Sequence, residues 1–219
     1  MGRGDKTDRD YIEQIIREIL AGERDTPIKM REPVPVGVSN RHVHLTREHL
    51  DILFGKGYQL QKLKDLSQPG QFAAKECVTL IGQKSTIQNV RILGPERRQS
   101  QVELLMSDTF SLGLRAVVRE SGNLAGSEGI YIAGPKGFVF LKEGAIVAKR
   151  HIHMTPEEAA KRGLKDQDLV KVRVGKDRAV VLEETVVRVS QDFRTELHID
   201  IDEANSCEAR NGMMAEILI

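Results

Sequence analysis

Residues 149–155 read KRHIHMT, and residues 40–46 read NRHVHLT. The two stretches share the motif Arg-His-[Val/Ile]-His-[Leu/Met]-Thr, 109 positions apart, and hold four of the six histidines in the 219-residue chain. Each motif runs into a helix-like stretch, TPEEAAKRG or TREHLDILFG, whose threonine can cap a helix. The repetition predicts two related halves, in each of which a strand ending in a histidine pair is followed by a short helix.

The remaining sequence indicates a mainly β fold. Short β-branched segments recur roughly every 8–12 residues between turn residues, and the helical segments are too few and too short for a parallel α/β sheet. Such strands are typical of β-barrels or of a sandwich, and with the repeat the most economical prediction is two small β-barrel domains with short helical caps. The expected strands are VPVGV (34–38), CVTLI (77–81), STIQNVRIL (85–93), QVELLM (101–106), LGLRAVV (112–118), hairpins over 129–154, and the later segments DLVKVRV, RAVVLEETVVRV, TELHIDI and AEILI.

The repeat also divides the chain. Residues 27–40 and 149–219 are expected to form the first barrel, and residues 41–148 the second. Ahead of them, DRDYIEQIIREILAG (8–22) has apolar residues at helical spacing, followed by a charged, proline-containing linker. Residues 1–26 are thus predicted to hold a separate amphipathic helix, which docks on its own body, on a second copy or on another protein.

Composition narrows the functional classes. Lys and Arg total 33 against 32 Asp and Glu, so no overall charge favours nucleic acid as a partner. No run approaches the roughly 18 apolar residues of a membrane span, and no apolar signal-peptide core is expected at the N-terminus. Cys77 and Cys207 are the two cysteines, which we expect to be buried and reduced, in agreement with a cytoplasmic location.

The histidine pairs predict metal binding. Residues i and i+2 of a strand project from one face, so His42 and His44 point together, as do His151 and His153. Two neighbouring imidazoles at the end of a rigid strand suit a divalent metal, zinc above all. We expect a metal centre at each copy of the motif.

Each pair needs a further ligand, and the residues alone leave its identity open. His198 alternates with Glu196 in TELHIDI, and Glu103 is a charge within the apolar segment QVELLM. A buried carboxylate there needs a cation, either a metal or an arginine. His49 and Glu48 follow the first pair, where we expect a surface or capping histidine and a glutamate that interacts favourably with the helix N-terminus.

Two arginines follow the Gly94-Pro95 turn, in the stretch GPERRQSQVE (94–103). A guanidinium binds oxyanions bidentately, so Arg97 or Arg98 near a metal suits a phosphate-like group. The alternative is a solvated turn.

The two motifs, GPERRQSQVE and the histidine of TELHIDI together resemble the PduL-type phosphotransacylases, the phosphate propanoyltransferases of bacterial microcompartments. The similarity extends from about Pro33 to Ile219. It implies two β-barrel domains with a dinuclear zinc site between them. By this resemblance two zinc ions bind per chain, one at His42, His44 and Glu103 and the other at His151, His153 and His198.

The resemblance also implies the substrates and their contacts. Arg97 matches the arginine that binds phosphate, and Ser121 matches a serine close to the active site. The implied coenzyme A contacts are Ser39, Lys64, Arg91, Leu93 and Asn205.

The implied reaction converts acyl-CoA, with propanoyl as the expected acyl group, and phosphate into acyl phosphate and CoA, reversibly. We expect direct transfer without an acyl-enzyme. The N-terminal helix resembles the peptides that direct such enzymes into microcompartments in the bacterial cytoplasm, where shell or cargo proteins would be its partners. A homo-oligomer is expected.

Three other interpretations compete. His42, His44 and Glu48 imitate the His-x-His-x3-Glu pattern of cupin-like single-metal enzymes, although Thr46 resembles a helix cap where a cupin strand would continue. A TIM-barrel metal hydrolase also has a His-x-His motif but requires more helices and a longer chain. Finally, zinc could stabilise a non-catalytic assembly protein, which would usually supply four ligands per ion.

Overall fold

The structure is a computed structural model that describes residues 32–218 and the single residue Glu13. The helix predicted over 8–22 therefore lies, Glu13 apart, outside the described residues, as does nearly all of segment 1–26. Within the described part, none of the helices is long and apolar enough to cross a membrane.

Strands predominate, as predicted. The strands are β1 (Val34–Ser39), β2 (His42–His44), β3 (Lys62–Asp65), β4 (Phe72–Ile81), β5 (Thr86–Gly94), β6 (Gln101–Leu104), β7 (Val118–Arg119), β8 (Glu128–Ala133), β9 (Phe138–Ala148), β10 (His151–Met154), β11 (Leu169–Val174), β12 (Val180–Val189), β13 (Glu196–Asp200) and β14 (Met214–Leu218). The helices are α1 (Arg47–Phe54), α2 (Met106–Leu112), α3 (Pro156–Lys161) and α4 (Ile201–Cys207).

The strands form two closed six-stranded barrels. The first barrel has the order β1-β13-β10-β12-β11-β14 and closes through antiparallel pairing of β14 with β1. The second has the order β4-β5-β2-β6-β9-β8 and closes where β8 pairs with β4, while β3 and β7 extend its sheet. The predicted class, a mainly β protein with two barrels and short helices, is confirmed.

The two barrels have equivalent topologies. Strand β2 pairs parallel with β5 and antiparallel with β6, and β10 pairs in the same way with β12 and β13. Strand β1 precedes β2 along the chain but belongs to the first barrel, and β9 precedes β10 but belongs to the second. Each barrel thus receives one strand from the other repeat. The predicted division into domains 1–26, 27–40 with 149–219, and 41–148 stays a prediction.

Each barrel has its own hydrophobic core. Val43 and Leu45 lie in the core of the second barrel, and Ile152 and Met154 in that of the first, all at most 1% exposed. Burying such a side chain contributes roughly 1.5–3 kcal/mol. Because the apolar residues of the motif alternate with its histidines, anchoring them in the core turns the histidines to the opposite face of the strand.

The helix caps of the repeat are confirmed. The Thr46 hydroxyl accepts a hydrogen bond from the backbone N–H of His49 at 3.2 Å, and the Thr155 hydroxyl accepts one from Glu158 at 3.2 Å. Each threonine therefore satisfies an N–H group that the first helical turn leaves unpaired. The threonine that ends each motif fixes where the strand stops and the helix starts.

Two predicted strands are too long. The strand predicted over QVELLM (101–106) ends at Leu104, and of the strand predicted over LGLRAVV (112–118) only Val118 lies in a strand, β7. Leu112 is the last residue of α2, which occupies Met106–Leu112. Gly113, with a φ of 72°, ends this helix in the left-handed region that glycine favours. Leu114 and Val117 are buried although they lie outside regular structure, so their apolar character reflects core packing and not a strand.

Candidate active site

The six predicted metal ligands form two groups. His42, His44 and Glu103 compose the first group, and His151, His153 and His198 the second; within each, the ligand atoms lie within 4.8 Å of one another. Strand pairing explains the grouping. In both barrels the third member sits directly opposite the first histidine on the antiparallel neighbour, Glu103 opposite His42 and His198 opposite His151.

In the first group a carboxylate faces the two imidazoles. His42 Nε2 lies 3.3 Å from Glu103 Oε2, and the rings of His42 and His44 meet edge to face at 5.0 Å. His42 Nδ1 lies 2.8 Å from the Asn40 carbonyl, and His44 Nδ1 lies 3.3 Å from the Leu93 carbonyl. A carbonyl at Nδ1 selects the tautomer that leaves Nε2 free to act as a ligand.

In the second group three imidazoles meet. His151 and His198 stack with ring centroids 4.9 Å apart, and His153 meets both rings at 4.6 Å. His151 Nδ1 lies 2.9 Å from the Lys149 carbonyl, which repeats the contact of His42 with Asn40. Both ring nitrogens of His153 are buried and have no hydrogen-bond partner in the described part of the chain.

Burial lowers the pKa of four of the five histidines in the two groups, His44 of the first group included, and only the pKa of His42 is raised. Burial and the neighbouring imidazoles lower the pKa of His151 to about 4 and that of His153 to about 2, and burial lowers that of His198 to about 4. In the first group, burial opposes protonation of His42, but the Glu103 carboxylate outweighs it and raises the pKa. Burial opposes ionisation of Glu103, but His42 outweighs it and holds its pKa well below the usual range.

Both groups fit a transition metal. The second group keeps its imidazoles neutral at pH 7, which leaves their nitrogen lone pairs available. An unpaired buried imidazole such as His153 is costly unless something binds it. The first group adds an ionised carboxylate to two imidazoles, a donor set that suits zinc.

One cavity of about 640 Å³ joins the two groups, because residues of both barrels line it. Its wall carries six cationic and four acidic residues. A cleft with excess positive charge attracts anionic ligands. The cationic residues are Arg41, Lys64, Arg91, Arg97, Lys149 and Arg188.

Arg97 lies beside the first group. Its Nη1 donates to the Ser121 hydroxyl at 3.3 Å, and Gln101 Nε2 donates to the same hydroxyl at 2.8 Å and to Glu103 Oε1 at 2.5 Å. Burial lowers the pKa of Arg97, Glu103 opposes this, and Arg188 adds to it. The structure thus brings the predicted residues Arg97 and Ser121 together with Glu103, whereas Arg98 is exposed.

Four of the five predicted CoA contacts line the cavity, namely Ser39, Lys64, Arg91 and Leu93. The fifth, Asn205, lies exposed in α4 and is not among the lining residues. Asn211 lines the cavity instead, and its Oδ1 accepts a hydrogen bond from the Val38 N–H at 2.7 Å.

Sequence reasoning missed several lining residues. The Arg188 side chain has no hydrogen bond or ion pair with the described residues. Its guanidinium lies 5.8 Å from the ring centroid of Phe193, which stacks on His153 at 3.9 Å. Gln68 Nε2 lies 3.2 Å from His198 Nε2, which also lies 3.1 Å from Glu196 Oε2. Arg188 follows Val186 and Val187 on β12, and nothing in this spacing marks it as a residue of the site.

The competing ligand candidates lie elsewhere. His49 is half-buried with Nδ1 2.7 Å from the Ser100 hydroxyl, and Glu48 is exposed in the first turn of α1. Neither belongs to a ligand group, so the cupin-like pattern of His42, His44 and Glu48 is not assembled. Cys207 is fully buried as predicted, whereas Cys77 is only half-buried.

Fold and site together define a two-barrel protein whose cleft carries paired histidine-rich ligand groups and an arginine. Comparison with known proteins matches the chain to one family. The family model for phosphate propanoyltransferase matches residues 35–210. Phosphate propanoyltransferase of Thermotoga maritima is 51% identical over 190 residues, 86% of this chain and 90% of that protein. The enzyme of the same name from Leptotrichia buccalis is 49% identical, and the match covers 96% of this chain and 99% of that protein. The enzyme of the same name from Listeria monocytogenes is 50% identical, and the match covers 94% of this chain and 93% of that protein. The chain belongs to the phosphate propanoyltransferase family and is an acyltransferase.

Proposed function

We propose that the protein transfers a propanoyl group reversibly between coenzyme A and phosphate, and that the two ligand groups form a dinuclear zinc site for this reaction. The observation that carries the proposal is the single cationic cavity onto which both groups and Arg97 open. Coenzyme A and phosphate are both anionic, so this cavity suits them together.

The chain's own residues hold the two reactants. Arg97 is placed to bind the phosphate oxygens, and Ser121, hydrogen-bonded to Arg97 and Gln101, holds its guanidinium in position. Lys64 and Arg91 line the cavity where the phosphates of CoA would need cations, and Ser39 and Leu93 lie beside them. Arg188, free of any carboxylate in residues 32–218, supplies a further charge for either anion. Asn205, which is exposed on α4 and does not line the cavity, stays a predicted CoA contact.

The transfer needs no protein nucleophile. A phosphate oxygen forms a bond to the thioester carbonyl carbon, the carbon–sulfur bond breaks, and the electron pair leaves with the CoA sulfur. Hydrogen phosphate gives up its proton in the process, and the departing thiolate can take it up. When bound, zinc at the two groups supplies Lewis-acid stabilisation of the thiolate and of the developing oxyanion. His42, His44 and Glu103 would hold one ion, and His151, His153 and His198 the other.

The test is release of free thiol from propanoyl-CoA with and without inorganic phosphate, before and after chelation. We expect release to require phosphate, to stop after chelation and to return with zinc. Phosphate-independent release would indicate a thioesterase, and a labelled acyl group retained on denatured protein would contradict direct transfer. His153→Gln should stay folded but inactive, whereas His49→Gln, a histidine outside both groups, should keep its activity. Loss of folding in His153→Gln would favour a structural role for the metal.

The cellular setting belongs to the same proposal. Residues 1–26 would direct the enzyme, as a homo-oligomer, into a microcompartment in the bacterial cytoplasm, where shell or cargo proteins bind the helix. Its support is the apolar pattern of residues 8–22 and the linker that follows. Removing residues 1–22 should abolish cargo localisation while thiol release continues. Unchanged localisation and particle size would contradict this role.

A further inference from the structure

The two motif arginines make equivalent ion pairs. Arg41, which precedes His42, has its Nε 2.7 Å from Asp108 Oδ2. Arg150, which precedes His151, has its Nε 2.6 Å from Glu203 Oε1. The arginine is therefore repeated together with the histidines because it performs the same structural task in both barrels.

Each acceptor lies on the helix that follows the strand of the third ligand candidate. Asp108 is in the first turn of α2, which starts just after the strand of Glu103 ends, and Glu203 is in the first turn of α4, just after the strand of His198. Both carboxylates also accept the backbone N–H that precedes their helix, Asp108 from Leu105 at 3.0 Å and Glu203 from Asp200 at 3.1 Å. Each arginine thus ties the first-histidine strand to the strand of the third ligand.

The two helices are in turn joined to each other. The Ser107 N–H donates to Asp202 Oδ2 at 2.9 Å, and its hydroxyl donates to Asp202 Oδ1 at 3.0 Å. Ser107 and Asp202 are each the second residue of their helix, so they occupy equivalent positions in the two repeats. A first-turn N–H has no partner within its own helix, and the carboxylate of the other helix satisfies it.

These contacts form one continuous path between the two ligand groups, the inter-helix bridge: Arg41, Asp108, Ser107, Asp202, Glu203 and Arg150. Among the described strands, neither β2 nor β6 pairs with β10 or β13. The sheets link the two ligand groups through β1, which pairs with β13 and leads into β2, and through β9, which pairs with β6 and leads into β10. The bridge adds a side-chain link between the helices that follow β6 and β13. Asp108 is almost completely buried, which restricts the geometry of the bridge on the side of the first group.

We propose that the inter-helix bridge positions the two ligand groups relative to each other, and thereby sets how CoA and phosphate are aligned for transfer. The inference rests on the proposed function. The residues of the bridge are positioning residues, because none belongs to a ligand group. The two arginines directly precede a ligand strand, and the other four lie on the helices that follow the ligand strands β6 and β13.

The test breaks the bridge at its centre and then rebuilds it reversed. Asp202→Ala removes the acceptor, and its matched control is Glu183→Ala, which removes an exposed carboxylate paired with Lys171 away from the cleft. After chelation the proteins are titrated with Co²⁺ alone, and the kcat of phosphate-dependent thiol release is measured with zinc. We expect Asp202→Ala to bind two Co²⁺ ions with nearly unchanged affinity while kcat falls about tenfold. Glu183→Ala should change neither quantity.

The double exchange Ser107→Asp with Asp202→Ser restores the bridge with donor and acceptor swapped across equivalent positions, and should recover most of the lost kcat. If Asp202→Ala does not fold, Ser107→Ala, which removes only the hydroxyl donor, should give a smaller loss of the same kind. An unchanged kcat in the folded variant, or no recovery in the exchange, would overturn the bridge while leaving the proposed function intact. Fewer than two Co²⁺ ions in the unmodified protein would instead overturn the proposed dinuclear site, and the bridge with it.

Discussion

Replacing Arg97 by alanine should weaken phosphate use selectively. The Arg97 side chain is half-buried in the wall of the cleft, and its Nη1 donates to Ser121. No described carboxylate forms an ion pair with it, so the charge is available to an anionic ligand. Arg98, the next residue, is exposed and does not line the cleft.

The size of the effect follows from this environment. Burial lowers the pKa of Arg97, but Glu103 opposes the shift, and an arginine remains charged at neutral pH. A charge-assisted hydrogen bond contributes about 2 kcal/mol, which corresponds to roughly 30-fold in an equilibrium or rate constant. We therefore expect Arg97→Ala to lower kcat/KM for phosphate by about 30-fold.

The assay is steady-state thiol release with phosphate varied at saturating propanoyl-CoA, and then with propanoyl-CoA varied at saturating phosphate. Arg98→Ala removes the same charge one residue away and should change kcat/KM for phosphate by less than about twofold. KM for propanoyl-CoA should stay nearly constant in both variants. Equal losses in the two variants, or a loss confined to KM for propanoyl-CoA, would refute phosphate binding by Arg97.

Two further predictions concern stability and the residues around the arginine. In metal-free protein the pKa values of His151 and His198 lie at about 4, below the roughly 6.5 of the unfolded chain, so the unfolded state binds more protons as the pH falls from 6.5 to 4. The free energy of unfolding, measured by urea unfolding, should therefore be lower by about 2 kcal/mol per histidine at pH 5 than at pH 7. Equal free energies of unfolding at the two pH values would contradict the claim that these imidazoles are buried and neutral in the folded protein. Ser121→Ala removes the hydroxyl that accepts hydrogen bonds from Arg97 and Gln101, and should lower kcat/KM for phosphate about tenfold. Ser206→Ala, at an exposed position of α4, should leave kcat/KM for phosphate unchanged. Equal values of kcat/KM in the two variants would show that Ser121 does not contribute to phosphate use.

The repeated motif made much of the fold predictable. In each copy the histidines alternate with apolar residues, namely Val43, Leu45, Ile152 and Met154. This alternation predicts which face of the strand packs in the core and which face carries the ligands. The threonine at the end of the motif predicts where the helix starts. The pairing of Glu103 with one histidine pair and His198 with the other was not determined by the residues alone. It depends on register between strands about 45–60 residues apart along the chain, which local patterns do not record.

The sequence-based prediction of secondary structure failed where buried residues lie outside strands and where a short helix was not expected. Leu114 and Val117 are buried in a loop, so β-branched and apolar residues there imitated a strand. Helix α4 was missed although Asp200 and Glu203 form a capping box, with Asp200 Oδ1 accepting from the Glu203 N–H at 2.9 Å. Arg188 gave no local signal, because its proximity to the ligand groups follows from barrel closure.

The most direct test is the zinc content of purified protein, measured as ions per chain in the unmodified protein and in single histidine variants. We expect two ions in the unmodified protein and in His49→Gln, and one in either His44→Gln or His153→Gln, because each motif copy serves its own centre. One ion or none in the unmodified protein, or the loss of both ions from either single variant, would contradict two separate centres in one cleft.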